Sequence, residues 1–301
     1  MVKKISRVFI RVLANKMNMW RCPICHSELF ANTQGKGQAD SDNTSVWECV
    51  NKHSFDRAKQ GYYNLLPVQQ KRSKAPGDDK QMVDARHAFL SEGFYQPLVD
   101  KIASMLTSHV KDQRLRIYDA GCGTGYYLNT LCGMVSTELG SGHDISKFAI
   151  SSAAKHYKHL QFVVASSINI PVQNSSQDIV IQVFSPTCEQ EYSRILCDGG
   201  HLVIVEPAAE HLIEIKQQIY TQPTHHEIDH TKLSGFESIE TQQISFKFAL
   251  SDEASRLNLL MMTPYFWSAS DLQKQSIINN CTSITADFVI KLFRKSVSDA
   301  K

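Results

Sequence analysis

A glycine-rich turn that directly follows an apolar segment constrains the fold of this chain more than any other feature. Three glycines, Gly121, Gly123 and Gly125, come immediately after a predicted strand at 114–119. Glycine lets the backbone turn sharply and lets a ligand approach the main chain where a Cβ atom would collide. A predicted helix begins at Tyr126. A strand, turn and helix of this kind are typical of nucleotide binding, although a lone turn can also be purely structural.

An acidic residue strengthens the nucleotide interpretation. Asp144 ends the next predicted strand, about 20 residues beyond the turn, where a carboxylate commonly accepts hydrogen bonds from ribose hydroxyls. The spacing of the glycines differs from the dinucleotide pattern, in which two residues separate the second glycine from the third. Together the turn and Asp144 predict a site for a nucleoside-containing cofactor.

The rest of the chain alternates between predicted strands and helices. Apolar segments at 137–144, 160–165, 178–184 and 201–206 read as strands, and 126–134 and 146–157 read as helices. One or two further helices are predicted at 82–107, and alternating apolar residues at 283–292 predict a terminal antiparallel strand. This order predicts an α/β fold, with a mainly parallel sheet and helices on both faces.

Two pairs of metal-ligand residues lie near the start of the chain. Cys22 and Cys25 are separated by two residues, and Cys49 and His53 by three. Three thiolates and one imidazole complete a tetrahedron without an open position, which is typical of structural zinc. The alternatives are unrelated thiols or a disulfide between Cys22 and Cys25. The other cysteines are scattered like buried thiols in a reducing compartment, so we expect a cytoplasmic protein.

Aromatic and basic residues are mixed on this small module and just after it. Trp47, Phe55, Tyr62 and Tyr63 are candidates for stacking on nucleic-acid bases. The alternative is that Trp47, Phe55 and Tyr62 form the small core of the module. Six cations are candidates for phosphate contacts: Lys52, Arg57, Lys59, Lys71, Arg72 and Lys74. Ordinary solvated charges are the alternative interpretation. The net charge of +2 permits an RNA partner without indicating one.

The glycine turn resembles the first motif of class I methyltransferases, and longer stretches carry a more specific resemblance. From Arg21 to about Phe293 the chain is similar to bacterial 23S ribosomal RNA (guanine-N1)-methyltransferases. The similarity rests mainly on Phe55-Asp56-x-Ala58-Lys59-x-Gly61-Tyr62-x-Asn64-Leu65-Leu66-Pro67-Val68, Pro76-Gly77-Asp78, Arg86-x-Ala88-Phe89-Leu90, Tyr95-Gln96-Pro97-Leu98 and Thr263-Pro264.

The resemblance implies a zinc finger fused to a class I methyltransferase with a seven-stranded sheet. It implies a homodimer that uses S-adenosylmethionine to methylate N1 of a guanine in a ribosomal RNA stem-loop. The implied cofactor-binding residues are Tyr95, Asp119, Gly121, Gly123, Thr124, Gly125, Asp144 and His211. His211 has a simpler alternative as a solvated residue at a helix start. The group that removes the N1 proton stays unassigned among Glu189, Glu191 and Glu206.

Three departures from the family pattern stand out. The span between the zinc knuckles is longer, with a polar insert around 31–44. Thr124 replaces the usual glutamate of the glycine turn, which we expect to be tolerated if the backbone alone contacts the cofactor. The family's Ala-Pro-Cys after the fourth strand appears as Ser185-Pro186-Thr187-Cys188, so contacts to the target base in that loop are open.

The predicted organisation has four parts. Residues 1–19 form an extension expected to be disordered, which reads as a transit peptide or as sequence upstream of the true start. Residues 20–66 form the zinc-binding domain, 67–81 a linker and 82–296 the methyltransferase domain. No apolar run is long enough to span a membrane. Two other function classes stay open: a small-molecule methyltransferase, and a non-catalytic zinc-dependent RNA-binding protein.

Overall fold

The computed structural model describes residues 19–32, 46–71, 73, 76–110, 113–222 and 232–297. The predicted extension up to residue 18, most of the polar insert, and the candidate cations Arg72 and Lys74 lie outside these described residues. Met19, the last residue of the predicted extension, is buried. Within the described ranges no helix combines the length and the apolar character that crossing a bilayer requires.

A small antiparallel sheet carries the predicted metal ligands. Its strands are β1 (Leu29–Asn32), β2 (Val46–Cys49) and β3 (Ser54–Phe55), in that order. Leu29 pairs with Cys49, so the hairpin brings the two halves of the metal motif together.

Among the described residues the large sheet has eight strands, in the order β10-β11-β9-β8-β5-β6-β7-β4. Their bounds are β4 (Tyr63–Asn64), β5 (Leu115–Ala120), β6 (Thr137–Asp144), β7 (Gln161–Val164), β8 (Gln177–Val183), β9 (Leu196–Pro207), β10 (Phe236–Ala249) and β11 (Ser283–Lys295). The pairs from β4 to β9 are parallel, and β11 pairs antiparallel with both β9 and β10. Seven of these strands form the class I methyltransferase sheet that the sequence predicts.

The eighth strand comes from the N-terminal region. Tyr63 pairs with Val163, so β4 extends the large sheet by two residues beyond β7. The predicted zinc-binding segment therefore contributes a strand to the sheet of the larger unit. This pairing depends on residues far apart in the chain, which local pattern cannot reveal.

Strand β10 is absent from the sequence prediction. It lies at the edge of the sheet, and its residues alternate between half-buried and exposed, with Ile244, Phe246 and Phe248 on the covered face. That alternation was the signal in the sequence, but glutamate, glutamine and serine around it weaken the apolar pattern of an edge strand.

The helices are α1 (Lys80–Ser91), α2 (Gln96–His109), α3 (Tyr126–Met134), α4 (Lys147–His156), α5 (Glu189–Ile195), α6 (Ile213–Ile219), α7 (Glu253–Met261), α8 (Tyr265–Ser268) and α9 (Asp271–Asn280). Local chemistry explains several helix starts. Asp79 and Ser146 cap α1 and α4, because their side chains accept hydrogen bonds from Met82 N and Ala149 N. A capping box between Ser270 and Gln273 starts α9.

The two faces of the large sheet are covered in different ways. Helices α1 to α4 pack on the face that includes Ile117 and Ile179. On the opposite face, which we call the back face, Tyr118 and Val180 contact α5 and the N-terminal module. The module's contribution to that buried cluster is Met19, Trp20, Cys22, Leu29, Cys49, Tyr63 and Leu65.

The N-terminal module takes the place of a crossover helix. The connection from β7 to β8 at 165–176 is described in full and contains no helix, although parallel strands are usually joined by one. Trp20 forms a bridge with Val172, and Arg21 N donates to Pro171 O at 3.0 Å. The module thus supplies the apolar surface that a helix would otherwise place on the back face.

This packing predicts that Trp20 stabilises the large sheet as well as the module. Its side chain is fully buried, and its Nε1 donates to Gln161 Oε1 at 2.8 Å. We expect Trp20→Ala to lower the free energy of unfolding by about 3–5 kcal/mol, because it leaves a large cavity in a buried cluster. Equilibrium urea denaturation followed by circular dichroism measures this.

Trp267→Ala is the matched control, because Trp267 is 63% exposed and the same atoms are removed. We expect it to change the free energy of unfolding by less than about 0.5 kcal/mol. Equal stability of the two variants would contradict a shared core.

Candidate functional site

Two similar knuckles place the metal ligands. In the first, His26 N donates to Cys22 O at 2.9 Å; in the second, Lys52 N donates to Cys49 O at 2.9 Å. His26 and Lys52 both adopt a left-handed backbone, each with φ of 61°. The backbone therefore reverses sharply at His26 and at Lys52. Each reversal directs its pair of ligands, Cys22 with Cys25 and Cys49 with His53, towards the same point.

The four ligand atoms form a compact cluster. The Sγ atoms of Cys22, Cys25 and Cys49 and a ring nitrogen of His53 all lie within 4.8 Å of one another. Cys25 Sγ is 3.6 Å from Cys49 Sγ, and His53 Nδ1 is 3.4 Å from Cys49 Sγ. Tetrahedral zinc with Zn–S bonds of about 2.3 Å holds its sulfurs about 3.8 Å apart. The donor set and its spacing therefore fit one structural zinc ion.

The thiols differ in their surroundings. Burial raises the pKa of Cys22 to about 11. Hydrogen bonding with Ser27 lowers the pKa of Cys25 to about 5. A bound zinc ion deprotonates coordinating thiols outright, which removes this difference.

The aromatic residues of the module form its core. Trp47 stacks on Tyr63 with ring centroids 3.6 Å apart and planes 10° apart, and it also contacts Trp20 at 5.6 Å. Tyr62 is buried on the other side of the large sheet. The core interpretation is therefore confirmed for Trp47 and Phe55, which pack against the same buried cluster as Tyr63, and it is wrong for Tyr62, which lies in the cluster on the other face of the large sheet.

The glycine turn is closely packed at the carboxyl end of β5. Gly121 and Gly125 have φ of 86° and 79°, and an added Cβ would lie 2.5 Å from Ser185 Cβ and 2.9 Å from the Phe162 ring. Gly121 N and Cys122 N both donate to His143 O, at 2.9 and 2.8 Å. The turn is thus fixed in place, and no side chain fits at Gly121 or Gly125.

Asp144 lies at the carboxyl end of the neighbouring strand β6 and contacts the turn directly. Its Oδ2 accepts from Gly123 N at 3.0 Å and its Oδ1 from Ser146 N at 2.8 Å. Burial raises the pKa of Asp144. The structure therefore brings Asp144 to the edge of the sheet where the glycine turn begins, as a ribose-binding carboxylate requires.

Several buried polar atoms beside the turn have no hydrogen-bond partner among the described residues. They are both carboxylate oxygens of Asp119, the hydroxyl of Thr124 and the hydroxyl of Tyr95. Burial, with a further contribution from the charge of Asp144, raises the pKa of Asp119 well above its usual value. Buried polar groups are normally paired, so this set fits a polar and positively charged ligand such as the methionine part of S-adenosylmethionine.

His211 and Tyr95 both contact Phe288 in a buried aromatic cluster. His211 is buried, and its Nδ1 accepts from Asp287 N at 3.3 Å. An accepting Nδ1 leaves the proton of the neutral ring on Nε2. The ring centroids of His211 and Tyr95 are 6.3 Å apart. His211 is therefore a buried member of an aromatic cluster with Tyr95 and Phe288, and not a solvated residue at a helix start.

The predicted linker contributes residues to the site that the sequence analysis did not assign. Ser146 Oγ donates to Asp78 O at 2.7 Å, and Arg86 forms an ion pair with the Asp78 carboxylate. Arg86 also donates to Met262 O at 3.0 Å. An added Cβ on Gly77, whose φ is 82°, would lie 2.9 Å from Ser146 Cβ. The motif Pro76-Gly77-Asp78 was the available signal, because it combines a left-handed position with an acid.

Two of the three candidate bases are engaged in ion pairs. Glu191 pairs with Arg194 at 2.7 Å and lies 3.8 Å from Arg21, while Glu206 pairs with Lys291 at 2.6 Å. These contacts assign structural roles to Glu191 and Glu206. Glu189 lies in the first turn of α5.

The described candidate RNA contacts lie at the surface. Lys52, Arg57, Lys59 and Lys71 are exposed. Arg57 Nε donates to Gly61 O at 3.2 Å, so part of its guanidinium also supports the turn after β3.

Family comparisons match both parts of the chain. The zinc-ribbon family described as RlmA, N-terminal, matches residues 20–74. The family described as Methyltransferase domain matches residues 111–257.

Similar proteins match most of the chain. YxjB of Bacillus subtilis, which carries the provisional name 23S rRNA (guanine-N1)-methyltransferase, is 32% identical over 84% of this chain and 88% of its own. The 23S rRNA (guanine(748)-N1)-methyltransferase of Streptomyces fradiae is 32% identical over 67% of this chain and 68% of its own. Among solved structures, the [4+2]-cyclase SpnF superimposes with a TM-score of 0.49 at 15% identity, covering 75% of this chain and all of SpnF.

We expect one zinc ion per chain and its loss in Cys22→Ser. Because Cys22 and Cys49 belong to the same buried cluster as the back face, zinc loss should destabilise the large sheet as well as the module. Losing about 3 kcal/mol of packing corresponds to a fall of roughly 5–10 °C in the melting temperature. Elemental analysis and calorimetry measure both effects.

Cys132→Ser is the control, since Cys132 lies in α3, away from the metal cluster. It should keep its zinc. A Cys22→Ser protein whose large sheet melts as in the parent would show that the two parts fold independently.

A second prediction concerns the buried acid Asp119. Burial raises the pKa of Asp119 well above its usual value, so the ligand-free protein keeps a proton on this carboxyl to a higher pH than an exposed aspartate does. A cationic cofactor group favours the carboxylate, so binding S-adenosylmethionine should release a proton. Affinity should therefore fall, by up to about tenfold per pH unit, as the pH drops below that raised pKa. Isothermal calorimetry in two buffers of different ionisation enthalpy counts the proton.

Asp119→Asn should bind the cofactor about tenfold to a hundredfold more weakly and release no proton. Asp84→Asn, on the exposed surface of α1, should behave as the parent. Binding by the parent without proton release at any pH would contradict this role for Asp119.

Proposed function

Because this chain belongs to the family of 23S ribosomal RNA (guanine-N1)-methyltransferases, we propose that it methylates N1 of a guanine in a stem-loop of 23S ribosomal RNA. It is a methyltransferase whose cofactors are S-adenosylmethionine and one zinc ion. The RNA substrate, the target base and the methylated atom are the proposed part of this function.

The observation that carries the proposal is that the zinc module packs directly on the large sheet and shares a buried cluster with it. Asn169 Nδ2 donates to Pro23 O at 3.1 Å, which ties the first knuckle to the loop after β7. That loop lies at the carboxyl edge of the sheet, the same edge that carries the glycine turn and Asp144. An RNA held by the module is therefore held beside the reacting groups, whereas a small-molecule methyltransferase has no need of such a module.

The cofactor contacts are proposed for residues at this edge. Asp144 would accept the ribose hydroxyls, Asp119 would pair with the amino group, and the backbone of Gly121, Gly123, Thr124 and Gly125 would surround the methionine part. Tyr95 and His211 would close the site towards the target base. The unpaired oxygens of Asp119 and the unpaired hydroxyl of Tyr95 support these assignments.

S-adenosylmethionine, when bound, supplies an already activated methyl group. The chain must align guanine N1 with that group and accept the proton that N1 carries. The base itself has to leave its stack in the stem-loop to reach the site. Since Glu191 and Glu206 are held in ion pairs, neither is proposed as the proton acceptor.

Two further parts of the proposal rest on the family resemblance. We propose a homodimer, which light scattering of the purified protein would detect. We also propose that the enzyme works in the cytoplasm, where ribosomal RNA is modified.

Primer extension on RNA tests the proposed activity. Unmodified 23S ribosomal RNA is incubated with the protein and S-adenosylmethionine, and reverse-transcription stops are mapped, because a methyl group on N1 blocks base pairing. We expect one new stop at a guanine in a stem-loop, and a much weaker stop with Asp119→Asn when S-adenosylmethionine is limiting. Methylation of free guanosine without any stop in RNA would instead favour a small-molecule enzyme.

The basic residues give a separate prediction on RNA affinity. Changing Lys71, Arg72 and Lys74 to alanine should weaken RNA binding and flatten the plot of log affinity against log salt by about two units, since each phosphate contact contributes about 0.7–0.9. The same is expected for Lys52, Arg57 and Lys59. Filter binding across a salt series measures it.

The control removes the same charge from three exposed lysines elsewhere, Lys155, Lys158 and Lys232. It should leave the salt slope nearly unchanged, and cofactor affinity should be unchanged in all three variants. An unaltered slope for both test variants would place the RNA contacts elsewhere.

A further inference from the structure

Phe184 combines exposure with a backbone conformation that its side chain disfavours. It follows β8 at the carboxyl edge of the large sheet, its φ is 56°, and 43% of its surface is exposed. A bulky residue with left-handed backbone is a conformational outlier. Such strain persists only where the surrounding structure enforces it, and it concentrates at functional sites.

The segment around Phe184 is held by hydrogen bonds on both sides. Phe184 N donates to Val205 O at 3.2 Å, and the next residue's hydroxyl, Ser185 Oγ, donates to Ala120 O in the strand that leads into the glycine turn. The buried Gln182 donates to Ser185 O and accepts from Thr187 Oγ1. These bonds join the loop to the cofactor turn and fix its backbone.

Three rings hold the Phe184 side chain. The centroid distances are 5.4 Å to Phe288, 6.1 Å to His211 and 6.3 Å to Tyr127, and the His211 plane is tilted by 28° from that of Phe184. The ring is supported on one side while almost half of the residue remains open. The site therefore presents a fixed aromatic surface next to the cofactor turn.

Stability does not account for this arrangement. Glycine or asparagine adopts a left-handed backbone at lower cost, and a half-exposed ring gains less from burial than a core residue. A contact with a ligand is the remaining use of a rigid, exposed ring.

We propose that Phe184 stacks on the target guanine after the base has left the stem-loop, an inference that rests on the proposed function above. Aromatic side chains commonly stack on unpaired RNA bases. Once N1 has lost its proton, its lone pair lies in the plane of the base, so methyl transfer to N1 requires that this plane be held at a defined angle. Stacking on a fixed ring sets the angle, which makes Phe184 the residue that orients the substrate.

The test compares Phe184→Gly, which relieves the strain and removes the ring, with Phe184→Tyr, which keeps a ring. Phe148→Ala is the control, because Phe148 on α4 is 44% exposed and lies outside the ring cluster. Three quantities are measured for each variant: the melting temperature, the affinity for S-adenosylmethionine, and kcat/KM on the RNA that the parent methylates.

We expect Phe184→Gly to melt no lower than the parent and to bind S-adenosylmethionine within about twofold of it. Its kcat/KM on RNA should fall by about five- to a hundredfold, the range seen when a base-stacking ring is removed. Phe184→Tyr should restore most of this loss, and Phe148→Ala should match the parent.

The outcomes separate this inference from the proposed function. A parent enzyme that methylates no RNA would overturn both. A parent that is active, with Phe184→Gly equally active, would overturn the stacking role alone. So would a Phe184→Tyr variant as impaired as Phe184→Gly, or a loss of cofactor affinity in Phe184→Gly as large as its loss of activity.

Discussion

The contact between Trp20, Trp47 and Tyr63 joins the two parts of this protein. Trp47 stacks on Tyr63 at 3.6 Å, and Trp20 lies between Trp47 and Tyr118 of the large sheet. Because Tyr63 also belongs to a strand of that sheet, the stack ties the zinc module to its back face. An apolar sheet face must be covered by another layer, and here much of that layer is the metal module itself.

This arrangement connects the metal ligands with the strand that leads into the glycine turn. The knuckle ligands Cys22 and Cys49 are buried in the same cluster as Tyr118 and Val180. Residues adjacent to those strand positions, Asp119 and Ala120, lead into the glycine turn. The metal-binding module therefore covers the back face of the strand that leads into the glycine turn. Because its four protein ligands leave no open position, the role of the metal is structural.

The cofactor site itself depends on close packing and on unpaired polar atoms. Gly121 and Gly125 have no Cβ atom. Ser185 and Phe162 can therefore pack against the turn at distances that a Cβ atom would prevent. The Asp119 carboxyl is buried without a hydrogen-bond partner among the described residues. Such burial destabilises the ligand-free protein. A cationic ligand beside this carboxyl would offset that destabilisation, which is consistent with the cofactor contact proposed for Asp119.

The sequence by itself determined the features that depend on neighbouring residues. The spacing of Cys22, Cys25, Cys49 and His53, the glycine turn, and the position of Asp144 at a strand end are local patterns, because a knuckle or a turn needs only a few consecutive residues. The strands from β5 to β9 were likewise predicted from their apolar runs, and the terminal strand β11 from its alternation. The family resemblance then supplied the cofactor and the RNA.

Only the tertiary structure decided how these parts meet. The pairing of β4 with β7, the use of Trp20 in place of a crossover helix, and the docking of Asp78 against Ser146 join residues far apart in the chain. The left-handed backbone of Phe184 is likewise enforced by distant partners such as Val205 and Ala120. Local pattern carries no information about such contacts, because their energy exists only once the sheet has brought both partners together.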